Sequence, residues 1–367
     1  MKKHLFSLLL MVAAATTFYG QRLGKPTLQP VAPTAAQQKV IGDGSSLHDQ
    51  KKYDEAIAKY RSVISESPDC VAAMYELALS LYKKGGNADK LEAIETAYKG
   101  TKYIADELPL FYVMIASALD DAGKPNDAVT IYKDGLKLLA GDTQFRRYRA
   151  SLSYNLGITH FRQKRYSDAR AVLKTAVEDD PLYPSPHYLL SVIFQGTKYK
   201  IPGMLAAARL LSLEFNTQRS VDSAALIADV LKPAATDSKT GNITINLDFL
   251  APTDEGEYAM YEMLLPTLTT IKDEKDKNKT ENQLFIDALG TVFAMLEENK
   301  KLNDTFVGRN YVPFVVALKK NGHLDAFGNL VIFINDRTNT EAKKWIDANE
   351  TKMRSFLDWA KTFRPAA

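Results

Sequence analysis

The feature that most constrains the fold of this 367-residue chain is a pattern of large and small residues that returns at regular intervals. Its clearest copy begins at Ser153, and Leu156, Gly157 and His160 follow at spacings of three, one and three. Such spacing predicts one face of an amphipathic α-helix. The pattern then continues on a second helix, with these residues: Tyr166, Ala169, Leu173 and Pro181. A two-helix unit that recurs predicts a stack of units with one continuous core.

Five copies of this unit follow one another along the chain. They start at Val40, Met74, Tyr112, Ser153 and His187, so the intervals are 34, 38, 41 and 34 residues. The two longer intervals predict loop insertions of four and seven residues. Each of the first four copies also carries a small residue where its second helix is expected to cross the first, and these are Gly44, Ala78, Ala116 and Gly157.

This pattern of an aromatic residue, Leu-Gly, a second aromatic residue, an Ala and a closing Pro resembles the tetratricopeptide repeat over about residues 37–215. The resemblance implies an all-α fold: a superhelix of about five helix pairs. A capping helix over residues 221–231 is expected to close it, so that the solenoid with its cap spans residues 37–232. Members of the family usually bind extended peptides or helices on the concave face that the first helices form.

The positions that face this groove in the family can be located in the first helices of repeats two, three and four. They are Tyr75, Leu79, Tyr82, Asp120, Asp121, Tyr154, Ile158, Phe161 and Arg162. Aromatic side chains offer a large contact area at low entropic cost, which suits a binding surface. Packing of some of these tyrosines against the next repeat or the C-terminal domain is the alternative. The carboxylate clamp of some family members is not visible, because Ile41, Tyr75 and Ile158 occupy the corresponding surface.

The N-terminal residues have the pattern of an export signal. Lys2 and Lys3 precede an apolar stretch that ends in small residues, so residues 1–20 are predicted to be a signal peptide, cut after Ala15 or Gly20. Residues 21–36 contain three prolines and predict a linker. The mature protein is therefore expected in the periplasm, at the cell surface or secreted, in a bacterium, without a transmembrane segment.

The region from residue 240 to 365 does not continue the repeat pattern. It predicts a separate, mainly helical domain with one or two short strands. Alternation over residues 243–249 predicts a strand. Helices are expected over residues 254–271, 281–299 behind the capping pair Thr280 and Gln283, 312–321 and 341–363, the last with a break near Asn349. The apolar residues of 324–334 have helical spacing and favour a helix, and the alternative is a strand over the dense apolar run of residues 330–334.

The chemistry of the sequence favours a scaffold rather than an enzyme. A formal charge of +3 gives no reason to expect a nucleic-acid partner. No catalytic, cofactor-binding or metal-ligand spacing is present, and Cys70 is the single cysteine. The sequence therefore predicts an exported, non-catalytic protein that binds a protein or peptide partner in its groove. The alternative is binding of an envelope polymer or carbohydrate through aromatic residues of the C-terminal domain, Trp345 or Trp359.

Overall fold

The computed structural model describes residues 23–232, 235–236, 243–244, 254–270 and 274–365. The chain divides into two compact units between Val172 and Leu173. The predicted domain boundary between residues 232 and 240 lies inside the second unit. The predicted signal peptide lies outside the described residues, and no described helix has the length and apolar character needed to cross a membrane.

The first unit is built from successive antiparallel helix pairs. The pairs are α1 (Ala35–Asp49) with α2 (Tyr53–Glu66), α3 (Val71–Lys84) with α4 (Asn87–Gly100), and α5 (Leu108–Asp121) with α6 (Pro125–Leu138). A 3-10 turn, Thr143–Phe145, then leads into α7 (Arg146–Arg162), and α8 (Tyr166–Asp179) runs across the division between the units. From α1 to α7 each helix packs on the next, and the first helices of the pairs also pack on one another. The prediction of repeated helix pairs is confirmed.

Small residues allow these helices to approach closely, as the sequence predicted. A Cβ atom added to Gly44 would lie only 2.6 Å from Cε1 of Tyr60, which belongs to the second helix of the same pair. Ala78 and Ala116 are completely buried. Gly100 is a further case between pairs, because an added Cβ would lie 2.3 Å from the ring of Phe111. Contacts this short leave no room for a larger side chain.

The segment before α1 is attached to the first unit, although its composition is that of a linker. The amides of Thr27 and Leu28 both donate to the carbonyl of Lys102, at 2.9 Å each. Leu28 and Tyr103 form a parallel bridge. Residues 23–31 are called the strap below. The strap leads to Thr34, which caps α1 in a capping box with Gln37.

The second unit joins the fifth helix pair to the C-terminal helices. Its N-terminal helices are α9 (Pro184–Gly196), α10 (Lys200–Leu213) and α11 (Gln218–Val230). Its C-terminal helices are α12 (Ala259–Thr270), α13 (Glu281–Glu298), α14 (Phe306–Asn310), α15 (Val312–Lys320), α16 (Leu324–Asn335), α17 (Thr340–Ala348) and α18 (Glu350–Thr362). Two 3-10 turns, Glu274–Asp276 and Lys300–Asp304, lie between them. Helix α10 is central, with α9, α11, α15 and α18 packed around it.

Several sequence predictions for this unit are confirmed. Thr280 and Gln283 form the expected capping box, residues 324–335 are helical, and Asn349 separates α17 from α18. Strands β1 (Ala235–Thr236) and β2 (Ile243–Thr244) form an antiparallel pair, and the remainder of the strand predicted over residues 243–249 lies outside the described residues. Helix α11 starts earlier than predicted, because Thr217 and Ser220 form a capping box. The Ser220 amide donates to the Thr217 hydroxyl, and the Thr217 amide donates to the Ser220 hydroxyl.

A buried arginine joins α10 to the end of α18. Arg209 donates to the carbonyl oxygens of Ala360 at 2.9 Å, Phe363 at 3.0 Å and Pro181 at 3.3 Å. Its guanidinium lies over the Phe314 ring, 4.7 Å from the centroid. Carbonyls at a helix C-terminus carry partial negative charge, so they stabilise this cation without a carboxylate. Burial nevertheless lowers the pKa of Arg209 to about 9.

Candidate functional site

The nine groove residues predicted from the sequence lie on three first helices that pack in series. Helix α3 carries Tyr75, Leu79 and Tyr82; α5 carries Asp120 and Asp121; α7 carries Tyr154, Ile158, Phe161 and Arg162. The spacings of three and four residues place the three residues of α3 on one helix face and the four residues of α7 on one helix face. The side chains are half-buried, except those of Asp121 and Arg162, which are exposed. This set of residues is called the groove surface.

One end of the groove surface is held by hydrogen bonds that cross from repeat to repeat. The Tyr82 hydroxyl donates to Oδ2 of Asp121 at 2.6 Å. Nη1 of Arg162 donates to Oδ2 of Asp120 at 2.9 Å and lies 3.5 Å from Oδ1 of Asp121. These bonds, called the rim network, link α3 to α5 and α5 to α7. The residues that make them are far apart in sequence, so the network fixes how three repeats are arranged.

Electrostatics explains why an arginine is needed in the rim network. Asp120 and Asp121 end α5, where the helix dipole is already negative, and two adjacent carboxylates there are unfavourable alone. Arg162 offsets this charge. The Asp120 side chain is 9% exposed and that of Arg162 is 59% exposed, so the carboxylate is positioned inside while the guanidinium extends outward.

The hydroxyls of Tyr75 and Tyr82 in the groove surface remain protonated. Burial, followed by the hydrogen bond to Asp121, raises the pKa of Tyr82 well above its usual value. Burial likewise raises the pKa of Tyr75. Both hydroxyls therefore keep their donor capacity over the whole physiological range of pH.

Two aromatic residues of the groove surface also pack within the first unit. The ring of Tyr75 lies edge-on to that of Phe111, with centroids 5.9 Å apart, and Phe161 lies 5.6 Å from Tyr166. These contacts fix the orientation of the rings, while part of each side chain stays open to solvent. The assignment of the nine residues to partner binding stays a prediction.

Sequence reasoning missed Thr159, which belongs to the rim network. Its hydroxyl donates to Oδ2 of Asp120 at 3.0 Å. Thr159 precedes Arg162 by three residues on α7, so both side chains lie on one side of the helix. That spacing is a signal that could have identified it. The bond between Tyr82 and Asp121, in contrast, joins separate repeats and has no local signal.

Metal ligation, thiol chemistry and carbohydrate binding would each need particular side chains in suitable places. Across the part of the chain that the structure describes, no three His, Cys, Asp or Glu residues are arranged to hold a metal ion. Cys70 is buried. Trp359 is half-buried and stacks on Phe314 at 5.4 Å, and Trp345 is half-buried on α17. The carbohydrate-binding alternative rests on these two tryptophans and stays a prediction.

Comparison with known proteins identifies the repeats. Residues 44–85 match a family model described as TPR repeat, and residues 113–184 match a second one described as tetratricopeptide repeat. No curated protein sequence matches the chain.

Solved structures with related folds are distant in sequence. A thermophilic TPR protein from Thermus thermophilus is 19% identical with a TM-score of 0.41, and the match covers 52% of this chain and 98% of that one. PilF from Pseudomonas aeruginosa is 15% identical with a TM-score of 0.45, covering 53% and 84%. The C-terminal part of a TPR repeat-containing protein from Cytophaga hutchinsonii is 13% identical with a TM-score of 0.41, covering 83% and 98%.

Proposed function

Residues 44–85 and 113–184 contain tetratricopeptide repeats, and from that premise we propose that the chain is an exported scaffold that binds a protein or peptide partner on its groove surface. Tetratricopeptide repeat proteins are generally non-catalytic and bind other proteins. The proposal assigns this role to the first helices α3, α5 and α7. Export is proposed from the basic and apolar pattern of residues 1–20.

The rim network is the observation that supports the groove surface most directly. Hydrogen bonds of 2.6 and 2.9 Å hold α3, α5 and α7 in register before any partner arrives. A surface that is already ordered pays less conformational entropy on binding. The half-buried rings of Tyr75, Tyr154 and Phe161 are then available as fixed anchors, the residue type that most often dominates binding energy.

The partner expected for this surface is a helix or an extended segment with apolar side chains. The middle of the groove surface consists of Tyr75, Leu79, Tyr154 and Ile158, which carry no charge. Its charged residues, Asp120, Asp121 and Arg162, are engaged with one another in the rim network. Burial of apolar area is therefore the main source of affinity, at roughly 25 cal/mol per Å².

The test removes two anchors and measures capture of the natural partner. Tyr154→Ala and Phe161→Ala should each weaken binding by about 1 kcal/mol or more, close to tenfold in affinity. Lys133→Ala, on the exposed face of α6, is the control. A double variant combines Tyr154→Ala and Phe161→Ala. Affinity capture from native envelope fractions should recover the same partner protein with the wild type and the control, and should not recover it with the double variant. Equal recovery by all three proteins, with unchanged thermal unfolding, would reject this surface.

A further inference from the structure

The strap contacts the first unit in the manner of an extended peptide ligand. The Leu28 amide donates to the Lys102 carbonyl at 2.9 Å, and the Ile104 amide donates to the Leu28 carbonyl at 2.8 Å. Further along, the Val31 amide donates to the Asp69 carbonyl at 3.0 Å. Asp69 lies between the first and second pairs, and residues 102–104 lie between the second and third. The strap therefore spans three repeats through its backbone.

The side chains of the strap contribute little to this attachment. Leu23 is half-buried and packs on the core cluster that contains Ile94, Tyr98 and Tyr112. Leu28 and Val31, in contrast, are 44% and 49% exposed. Three half-buried apolar side chains, Leu23, Pro26 and Pro30, and a few main-chain bonds hold the segment, which marks it as an exchangeable occupant rather than a part of the core.

Two cavities beside the strap show that it does not fill the surface on which it lies. One, of about 690 Å³, is lined by strap residues with Tyr112, Asp134 and Leu138. The other, of about 540 Å³, is lined by strap residues with Glu95 and Tyr98. The surface formed by α4, α6 and residues 101–104, called the strap seat, thus has room for larger side chains.

An unsatisfied carboxylate in the larger cavity indicates which side chain is missing. Oδ2 of Asp134 is buried and accepts no hydrogen bond from any described residue. Lys25 of the strap lines the same cavity but makes no ion pair with Asp134 within the described residues. A buried acceptor without a donor is costly, so a longer, multidentate donor at this position would strengthen binding.

We propose that the strap seat is a second peptide-binding surface, occupied in cis by residues 23–31, and that its partner in trans is an extended polypeptide segment with the pattern apolar–x–Arg–Pro. The apolar residue takes the place of Leu23, and the arginine reaches Asp134. The residues after the proline pair with the backbone of residues 102–104. This surface is separate from the groove surface and does not depend on the function proposed for it.

The test measures displacement of the strap from the full-length mature chain. Gln29→Cys places a fluorophore on an exposed strap position, and the single native cysteine, Cys70, is buried and does not compete for the label. Leu23→Ala in the same chain weakens the strap as a competitor, which matters because a tethered segment acts at an effective concentration of roughly millimolar. Synthetic peptides of residues 21–32 are then titrated, with either the natural Lys25 or K25R.

Both peptides are expected to release the strap, seen as a fall in fluorophore anisotropy, with K25R acting at about tenfold lower concentration. Asp134→Asn in the chain should abolish that preference, and a peptide carrying Leu23→Asp should not release the strap. Absence of displacement, or a preference that survives Asp134→Asn, overturns the proposal. If Leu23→Ala disturbs folding, the same titration on the chain with Leu23 intact gives the same comparison at higher peptide concentrations.

Discussion

Helix α6 and helix α10 hold the same place in their pairs but have opposite surroundings. In α6, the buried residues Ala128, Val129, Ile131, Tyr132 and Gly135 form one face, and the rest of the helix meets solvent. In α10, every residue from Ile201 to Ser212 is buried. The second helix of a repeat is thus one-sided in the first unit and enclosed in the second.

The outer face of a repeat can therefore bind another segment only where no other part of the chain covers it. The sequence of α6 alternates charged and apolar residues, whereas α10 is apolar throughout except for Lys200, Arg209 and Ser212. A helix that is apolar all round requires cover on all sides. In the second unit α15 and α18 provide that cover. Among the described residues of the first unit, the strap is the segment that crosses the second helices, and it covers them incompletely.

The largest effect is expected where the enclosure of α10 depends on one side chain. Arg209→Ala should lower the free energy of unfolding of the second unit by about 3 kcal/mol or more, because the buried Ala360 carbonyl loses its donor, the Phe363 and Pro181 carbonyls each lose one, and a cavity forms. Both tryptophans, Trp345 and Trp359, lie in this unit, so urea unfolding followed by tryptophan fluorescence reports on it alone. Arg354→Ala, on the exposed face of α18, is the control. A loss below 1 kcal/mol would mean that α18 does not hold α10 in place.

In the first unit, a matched pair of substitutions in α1 tests whether the close contact between α1 and α2 is confined to the position where the two helices cross. Gly44→Ala should destabilise by about 2 kcal/mol, because its Cβ meets Tyr60. Gly42→Ala, two residues earlier, places its Cβ in open space and should stabilise the helix by about 0.5–1 kcal/mol. Amide hydrogen exchange of α1 to α4 measures both. Equal effects of the two substitutions would contradict the helix crossing at Gly44.

Acid titration tests the enclosure of the second unit, because a histidine buried there, His187, strongly resists protonation. Nε2 of His187 donates to the Pro181 carbonyl, and Nδ1 accepts from the Tyr311 hydroxyl. Burial, followed by the charge of Arg209, lowers the pKa of His187 to about 3. The unfolded chain takes up this proton below pH 6.5 and the folded one does not, so stability falls as pH drops from 6.5 toward 3.

The expected slope is up to about 1.4 kcal/mol per pH unit over that range. His187→Gln should remove this contribution, measured as the difference between the two urea-unfolding series at pH 7 to 4. Parallel series would show that His187 is protonated in the folded state and that the site is more open than described.

The smallest effect is expected in the rim network, where solvent competes for each bond. Tyr82→Phe should cost about 0.5 kcal/mol, the low end for a hydrogen bond, because Asp121 is exposed and can bind water instead. Tyr53→Phe is the control, since its hydroxyl has no hydrogen bond to a described residue. Hydrogen exchange in α3 and α5 is the measurement. A cost above 2 kcal/mol would show that the first unit is more tightly coupled between repeats than its open helices imply.

The sequence predicted those parts of the fold that local physics specifies. Gly44 and Ala78 mark helix crossings, Thr280 with Gln283 marks a helix start, and Asn349 marks a break, because each acts on its own neighbours. Over residues 324–334 the spacing of the apolar residues favoured a helix over a strand, and the structure has a helix there. Agreement is therefore closest where the determining residues are close in sequence.

What could not be predicted depends on pairing between distant segments. Nothing near Arg209 indicates that its donors reach Ala360 and Phe363, some 150 residues away. The strap attaches by backbone groups, which every residue has, so its composition indicates only a linker. In the groove surface, the residues Tyr82 and Asp121 were both predicted, but the bond between them joins two repeats and appears only in three dimensions.

The burial of α10 also bears on how a protein of this kind can change length over evolutionary time. Duplication of a pair within the first unit adds a module that meets only its neighbours, and only the reach of residues 23–31 would have to adjust. A pair added after α11 would have to displace α16, which packs on α11, and with it α18, which packs on α16 and supplies carbonyls that hold Arg209. Helix pairs can thus be added within the first unit, whereas the packing around α10 prevents their addition after α11.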